Sequence, residues 1–418
     1  MFVIEAATVL LVLASMFGLF NHHVLKLPFT IGLLVSGLLA SLAMLGFDGL
    51  FPRFELAEQA RSALNEVQFA DTVLHGLLSI LLFAGALHTD LDDLLARARP
   101  ILSLATIGVL LSTGIAATLG WFVFQGLGVE MPFAWCLVFG AIVSPTDPIA
   151  VLGIMRSAGA PKAMEAKVVG ESLFNDGIGV VLFLVLVQWA APGVDGHAAV
   201  QPGIASIAKL LAVEVLGGVL LGLAFGGLAY LALRSIDAPN LEILVSVATI
   251  MALNLVALRL HASAPLAAVM AGLFLGNRGR TLAMSETTKK NLDVVWHFID
   301  EALNAVLFLL VGLEVFALTF DPRLFAAGLI LIPCVLAARA ASVVLPLSVL
   351  ARGEVDRGSR RILIWGGLKG GVSVALAMSL APFPGRDAIL VATYLTVIFS
   401  VVVQGLTVGL LIRRLRPL

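Results

Sequence analysis

Charge and cysteine are both scarce in this chain. Only 13% of its 418 residues are charged, and the two cysteines, Cys136 and Cys334, sit inside apolar runs. So little charge beside a hydrophobic fraction of 60% excludes an ordinary soluble globule. Two isolated cysteines support neither a disulfide framework nor a zinc site. The formal net charge is −1 and no long basic tract occurs, so nothing points to nucleic acid. The Gly-x-Ser-x-Gly and His-Glu-x-x-His patterns of hydrolases and zinc peptidases are missing, as is a Thr-Val-Gly-Tyr-Gly pore filter. No polar stretch is long enough for a soluble catalytic or regulatory domain.

What remains is a succession of apolar runs of membrane length. They predict thirteen spans, roughly 2–20, 28–46, 72–89, 100–124, 131–154, 166–190, 204–233, 240–259, 262–277, 295–318, 324–350, 361–381 and 388–411. The expected fold class is an all-α polytopic membrane protein, a single transmembrane domain over 1–418. The ninth run is short and suits a tilted or half-buried helix. The polar stretch Arg53–Asp71 predicts an amphipathic surface helix. The first run lacks a basic leader and reads as a retained span, not a cleaved signal peptide. With the N-terminus outside, eighteen Lys and Arg fall on inner segments and six on outer ones. That asymmetry predicts an inner C-terminus and an odd number of spans. Arg339 and Lys369 are left over, inside spans eleven and twelve.

Two spans are interrupted. Ser144-Pro145-Thr146-Asp147-Pro148 puts two prolines into span five, removing backbone donors. Gly366-Gly367-Leu368-Lys369-Gly370-Gly371 loosens span twelve with four glycines. The two lie seven spans apart, so they enter the membrane from opposite sides, as in an inverted repeat. Paired interrupted spans mark the midplane binding site of a transporter. The runs Leu82–Leu87 and Leu309–Leu313, again seven spans apart, are weakly alike.

Polar groups inside predicted spans are functional candidates by default. They are Thr146, Asp147, Glu171, Ser172, Asn175, Asp176, Arg339 and Lys369. Three acids face two bases. On a helix Ser172 and Asp176 share one face, and Glu171 and Asn175 the adjoining one. Arg339 is the natural partner of Glu171 and Asn175, because a buried guanidinium needs several acceptors. Asp147 and Lys369 stand where they would neutralise the ends of the broken helices. Asp176 is then the acid without an assigned cation. A hard monovalent cation takes oxygen ligands, which Asp176, Ser172 and a freed carbonyl near Thr146 supply. Plainer readings stay open: Asp147 as a helix cap, Glu171 with Arg339 as a structural pair, and Lys369 snorkelling to the surface. Glu214, Glu242, Glu301 and Glu314 read as interfacial, and the seven histidines as span-end or loop residues.

Thr146-Asp147-Pro148, Gly170-Glu171-Ser172-Leu173-Phe174-Asn175-Asp176-Gly177 and Trp365–Ser373 resemble the motifs of NhaP-type sodium/proton antiporters. These belong to the first cation/proton antiporter family, which also holds the animal sodium/proton exchangers. Ser263–Ala267 and Asn304–Glu314 carry the resemblance over nearly the whole chain. It implies crossed discontinuous helices at spans five and twelve and a homodimer. The ion-binding helices would be about 100–190 and 324–411, and the dimerisation or scaffold helices about 1–90 and 204–318. It further implies that Asp176 binds Na⁺ or a proton, with Ser172 and the Thr146 carbonyl as ligands and Asp147 nearby. Glu171 would pair with Arg339. The Asn175-Asp176 pair is specific to this branch, whereas relatives with two adjacent Asp residues there are typically electrogenic. One departure stands out: the family usually has Arg where this chain has Lys369, and Lys lacks the guanidinium fork.

The expected activity is exchange of Na⁺ or Li⁺ for H⁺, one for one and electroneutral. Cation and proton would compete for Asp176 under alternating access, which requires an Asp176 that titrates near the working pH. Transported ions are the only small molecules expected, with no cofactor. Membrane lipid and a second copy are the expected partners, and a bacterial inner membrane the expected location. K⁺/H⁺ exchange remains open because Na⁺ and K⁺ sites use the same ligand types; a cation channel is a more distant alternative.

Overall fold

The structure, a computed structural model, describes residues 2–51, 72–191 and 204–415 and a few positions between 53 and 62. Among these residues every regular element is helical. In chain order they are α1 (Phe2–Phe20), α2 (Phe29–Leu50), α3 (Leu78–Leu87), α4 (Ala98–Gly126), α5 (Phe133–Val143), α6 (Ile149–Ser157), α7 (Lys162–Ala190), α8 (Ile204–Arg234), α9 (Pro239–Arg259), α10 (Ala264–Phe274), α11 (Glu286–Leu313), α12 (Pro322–Val349), α13 (Arg357–Trp365), α14 (Gly371–Met378) and α15 (Arg386–Leu415). Nine helices among the described residues are long and apolar enough to cross a membrane, and α3 and α5 are shorter apolar helices. The chain is an integral membrane protein. Leu216, Leu220 and Leu231 on α8 and Leu244 and Leu255 on α9 stand exposed on outward faces, where lipid is their solvent.

Proline sets where many of these helices begin. Pro28, Pro132 and Pro161 stand immediately before α2, α5 and α7. Pro239, Pro265 and Pro322 occupy the first turns of α9, α10 and α12, where a missing N–H costs nothing. Inside an apolar run proline is a weaker rule: α12 continues through Pro333 and Pro346, whereas the Pro145–Pro148 pair stops its helix. The run expected over 131–154 is α5, a break at Pro145–Pro148, then α6, which continues to Ser157. The run expected over 361–381 is α13, a glycine-rich break, then α14. Here α13 starts at Arg357, before the apolar run, because the Asp356 carboxylate accepts from the Ser359 N–H at 3.0 Å and caps the helix. Most of the surface helix expected over Arg53–Asp71 lies outside the described residues.

Packing sorts the helices into two groups. α4, α5, α7, α12, α14 and α15 pack on one another, with α6 against the end of α15. α1, α2, α3, α8, α9, α10 and α11 form the other group, and α7 and α14 touch both. Within the second group α2 lies on α11 and α10 on α3 at backbone contact. A Cβ added at Gly312 would stand 2.5 Å from the Leu34 carbonyl oxygen, and one at Gly272 would stand 2.6 Å from that of Phe83. Small residues permit that approach, as helix pairs in lipid require.

Candidate ion-binding site

α7 carries Glu171, Ser172, Asn175 and Asp176 into the interior, at 1%, 2%, 1% and 8% exposure. Arg339, on α12, meets both carboxylate oxygens of Glu171, with its Nη2 3.0 Å from Oε2 and its Nη1 on Oε1. The same Nη2 donates to the Leu363 carbonyl at 2.8 Å, in the last turn of α13, where orphan carbonyls favour a cation. Asn175 does not join this pair, contrary to expectation. Its amide nitrogen donates to the Thr146 hydroxyl at 2.9 Å, and its Oδ1 accepts from the Thr146 N–H at 3.3 Å. The Thr146 and Ser172 hydroxyls are 3.0 Å apart. Asn175 therefore serves the break in the chain, accepting from a backbone N–H that the interrupted helix leaves without an intrahelical carbonyl.

The two breaks are joined to each other. The Asp147 N–H donates to the Leu368 carbonyl at 2.8 Å. Lys369, 3% exposed, donates through Nζ to the Ser144 and Pro145 carbonyls at 2.9 and 3.1 Å. This overturns the snorkelling reading: the ammonium is held inside by the carbonyl end of α5. Two converging carbonyls suit a compact three-donor ammonium, so no fork is needed at position 369. The Ser400 hydroxyl accepts from the Lys369 N–H at 2.8 Å, and Ser373 donates to the Ile142 carbonyl at 2.7 Å. Asp147 sits at the opposite kind of helix end. Its Oδ1 accepts from the Ile149 N–H at 2.9 Å at the start of α6. Gly370, immediately before α14, leaves no room for more than hydrogen, since a Cβ there would lie 2.1 Å from Asp147 Oδ2. The Asp147 carboxylate thus adjoins two helix N-termini, which favour negative charge.

Charges in the cluster are matched in this way except one. Among the described residues no hydrogen bond or ion pair reaches the Asp176 carboxylate. The charges of Asp147 and Lys369 act on it through space. Among the same residues the Thr146 carbonyl oxygen accepts no hydrogen bond. A buried carboxylate, a hydroxyl and a free carbonyl suit a small hard cation or a proton.

Sequence reasoning passed over Ser144, Ser373, Ser400 and Asp300. The serines act through single bonds that no spacing reveals. Asp300 had a signal, because it falls inside the run expected over 295–318. It lies on α11, accepts from the Asn304 amide at 3.1 Å, and its charge acts on Asp147. Glu242 and Glu314 are also buried, at 1% and 4% exposure, against the interfacial reading. A cavity of about 850 Å³ lies elsewhere. It opens between the ends of α3 and α10 and the first turns of α11, where Asp293 meets Arg280 at 2.5 Å and His88 at 3.5 Å.

Comparison with known proteins places these features in context. Residues 10–414 match the family model described as sodium/hydrogen exchanger, transmembrane. The chain is 41% identical over 418 residues to the Na(+)/H(+) antiporter NhaP of Pseudomonas aeruginosa, covering 99% of this chain and 97% of that one. It is 34% identical to the Na(+)/H(+) antiporter NhaH of Halobacillus dabanensis, covering 94% and 93%. In structure it resembles the sodium proton antiporter MjNhaP1 of Methanocaldococcus jannaschii, with a TM-score of 0.76, 19% identity and 98% of each chain covered.

Proposed function

Since the chain belongs to the sodium/hydrogen exchanger family, we propose that it exchanges Na⁺ for H⁺ at Asp176. The observation that carries this reading is the unmatched carboxylate. Glu171 has Arg339, Lys369 has two carbonyls, and Asp147 has two helix N-termini, while Asp176 is buried with no described partner. A carboxylate removed from water needs a positive partner, and an exchangeable ion supplies it. Asp176, Ser172 and the Thr146 carbonyl would hold Na⁺, with Asp147 beside them. One carboxylate accepts one Na⁺ or one proton, so exchange is one for one and moves no net charge.

The architecture proposed with this function has thirteen spans, counting α5 with α6 and α13 with α14 as single crossed spans. The N-terminus is outside and the C-terminus inside. The α2–α11 and α10–α3 pairings each have glycine at the contact, and a shift of seven spans carries α2 to α10 and α3 to α11, which supports an inverted repeat. The group around α4, α5, α7, α12, α14 and α15 would carry the ion. The other group would form the scaffold and the face of a homodimer in a bacterial inner membrane.

Proteoliposomes loaded with a pH dye provide the test. Addition of Na⁺ or Li⁺ drives proton flux in wild type, Asp176→Asn abolishes it, and clamping the membrane potential leaves the wild-type rate unchanged. Flux that survives Asp176→Asn refutes the single-carboxylate mechanism. A response to K⁺ alone keeps the chemistry and changes the ion.

A further inference from the structure

A second carboxylate is buried away from the Asp176 cluster. Glu314 begins the short 3₁₀ turn that continues α11, and it is 4% exposed. It faces a cavity of about 10 Å³ at the seam where α11 meets α14 and α15, with room for one water-sized body. Thr393 and Tyr394 of α15 line the cavity beside Val374 and Met378 of α14. Among the described residues its lining holds no Lys, Arg or His, and Tyr394 is the only other titratable group there. Among the described residues no hydrogen bond or ion pair reaches the Glu314 carboxylate.

The Thr393 hydroxyl is an independent sign of a ligand. It is wholly buried and has no hydrogen-bond partner among the described residues. A helical threonine ordinarily bonds back to the carbonyl one turn earlier, as Thr396 does to Ala392 at 2.8 Å. Thr393 forgoes that bond and lines the cavity instead. The Tyr394 hydroxyl donates to the Val311 carbonyl at 2.9 Å and accepts from the Val315 N–H, which leaves one lone pair to accept. The cavity therefore has oxygen ligands, one negative charge and, among the described residues, no protein cation to balance it.

We propose that Glu314, Thr393 and Tyr394 form a second monovalent-cation site, occupied by Na⁺, separate from the Asp176 cluster. It rests on the exchange reading only for the choice of ion. Because its ligands come from α11 on one side and α15 on the other, an ion there ties the two packed groups together.

Na⁺-dependent thermal stabilisation of the purified full chain tests the site, with choline replacing Na⁺ at constant ionic strength. The expected result is a Na⁺-dependent rise in Tm that survives in Asp176→Asn and disappears in Asp176→Asn/Glu314→Gln. In the Asp176→Asn background, Thr393→Val should raise the Na⁺ midpoint about tenfold; this variant carries the test should Glu314→Gln fail to fold. Loss of the whole Na⁺ response in Asp176→Asn alone would overturn the second site and leave the exchange reading standing. A response unchanged in the double variant would place the ion elsewhere and also overturn it. Stabilisation of Asp176→Asn by acid but not by Na⁺ would mean that Glu314 takes only a proton, and the proposal falls.

Discussion

Glu171→Gln separates charge from shape at the Arg339 pair. Glutamine keeps the outline of Glu171 but removes the carboxylate that meets two guanidinium nitrogens. Arg339, 5% exposed, would keep the Leu363 carbonyl as its acceptor, and its Nε already has no partner among the described residues. Removing one member of a buried ion pair costs about 3–5 kcal/mol. With unfolding entropy of about 2.1 cal/mol/K per residue, a chain of 418 residues turns that cost into a fall in Tm of roughly 3–6 °C. The assay is thermal unfolding of the purified protein in detergent, followed by light scattering and tryptophan fluorescence. A second arm replaces both partners, Glu171→Leu with Arg339→Met. Apolar replacement of a whole buried pair is often neutral, so the double variant should melt above Glu171→Gln. A Glu171→Gln protein that melts with wild type, or a double variant at or below the sum of its singles, refutes the argument that charge holds this contact.

Lys369→Met strands the Ser144 and Pro145 carbonyls at about 1–3 kcal/mol each; unchanged thermal stability would show that water replaces the ammonium. Gly370→Ala sets a methyl group against Asp147 Oδ2 and should abolish folded yield in size-exclusion chromatography, or transport where the chain still folds. Competition at Asp176 makes the apparent KM for Na⁺ rise as pH falls; a KM flat between about pH 5 and 9, spanning the range in which desolvated carboxylates titrate, would refute competition. Asp356→Ala removes a helix cap and should cost about 1 kcal/mol of stability. Partial burial pulls the Asp356 carboxyl upward, but the N–H groups at the start of α13, that of Ser359 at 3.0 Å foremost, outweigh it and hold it below its ordinary value of 3.8. A depressed folded value means that the cap stabilises above about pH 4 and fades as pH falls through that value. The gap between wild type and Asp356→Ala should therefore close in acid, and a gap constant with pH would refute the charged cap.

Much of the site was legible because apolar surroundings make polar residues conspicuous. Eight groups stood out inside predicted spans, and the structure gathers them around two joined breaks. Their pairing was less legible. Asn175 was assigned to Arg339 because a guanidinium wants acceptors, yet the prolines beside Thr146 leave backbone groups that claim the amide first. Lys369 was allowed a route to the surface because its stem is long, but span position does not reveal that two carbonyls converge on it. Glu314 was read as interfacial because nearness to a span end was taken for exposure, and Asp300, in the same predicted span, was passed over.

By itself the sequence determined that this is a helical membrane protein, where its helices begin, and which two of them break. Those properties are local: apolar length, proline without an N–H, and glycine without a side chain act on the segment that contains them. It also marked the polar groups, since a charge inside an apolar run is costly whatever surrounds it. Only the tertiary structure decided which partner each group takes. Matching is a property of distance between segments far apart in the chain. Arg339 meets Glu171 across 168 positions and Lys369 meets Ser144 across 225, because packing brings α7 to α12 and one break to the other. The same packing leaves Asp176 and Glu314 without a described partner, and that remainder appears only after every other contact is in place.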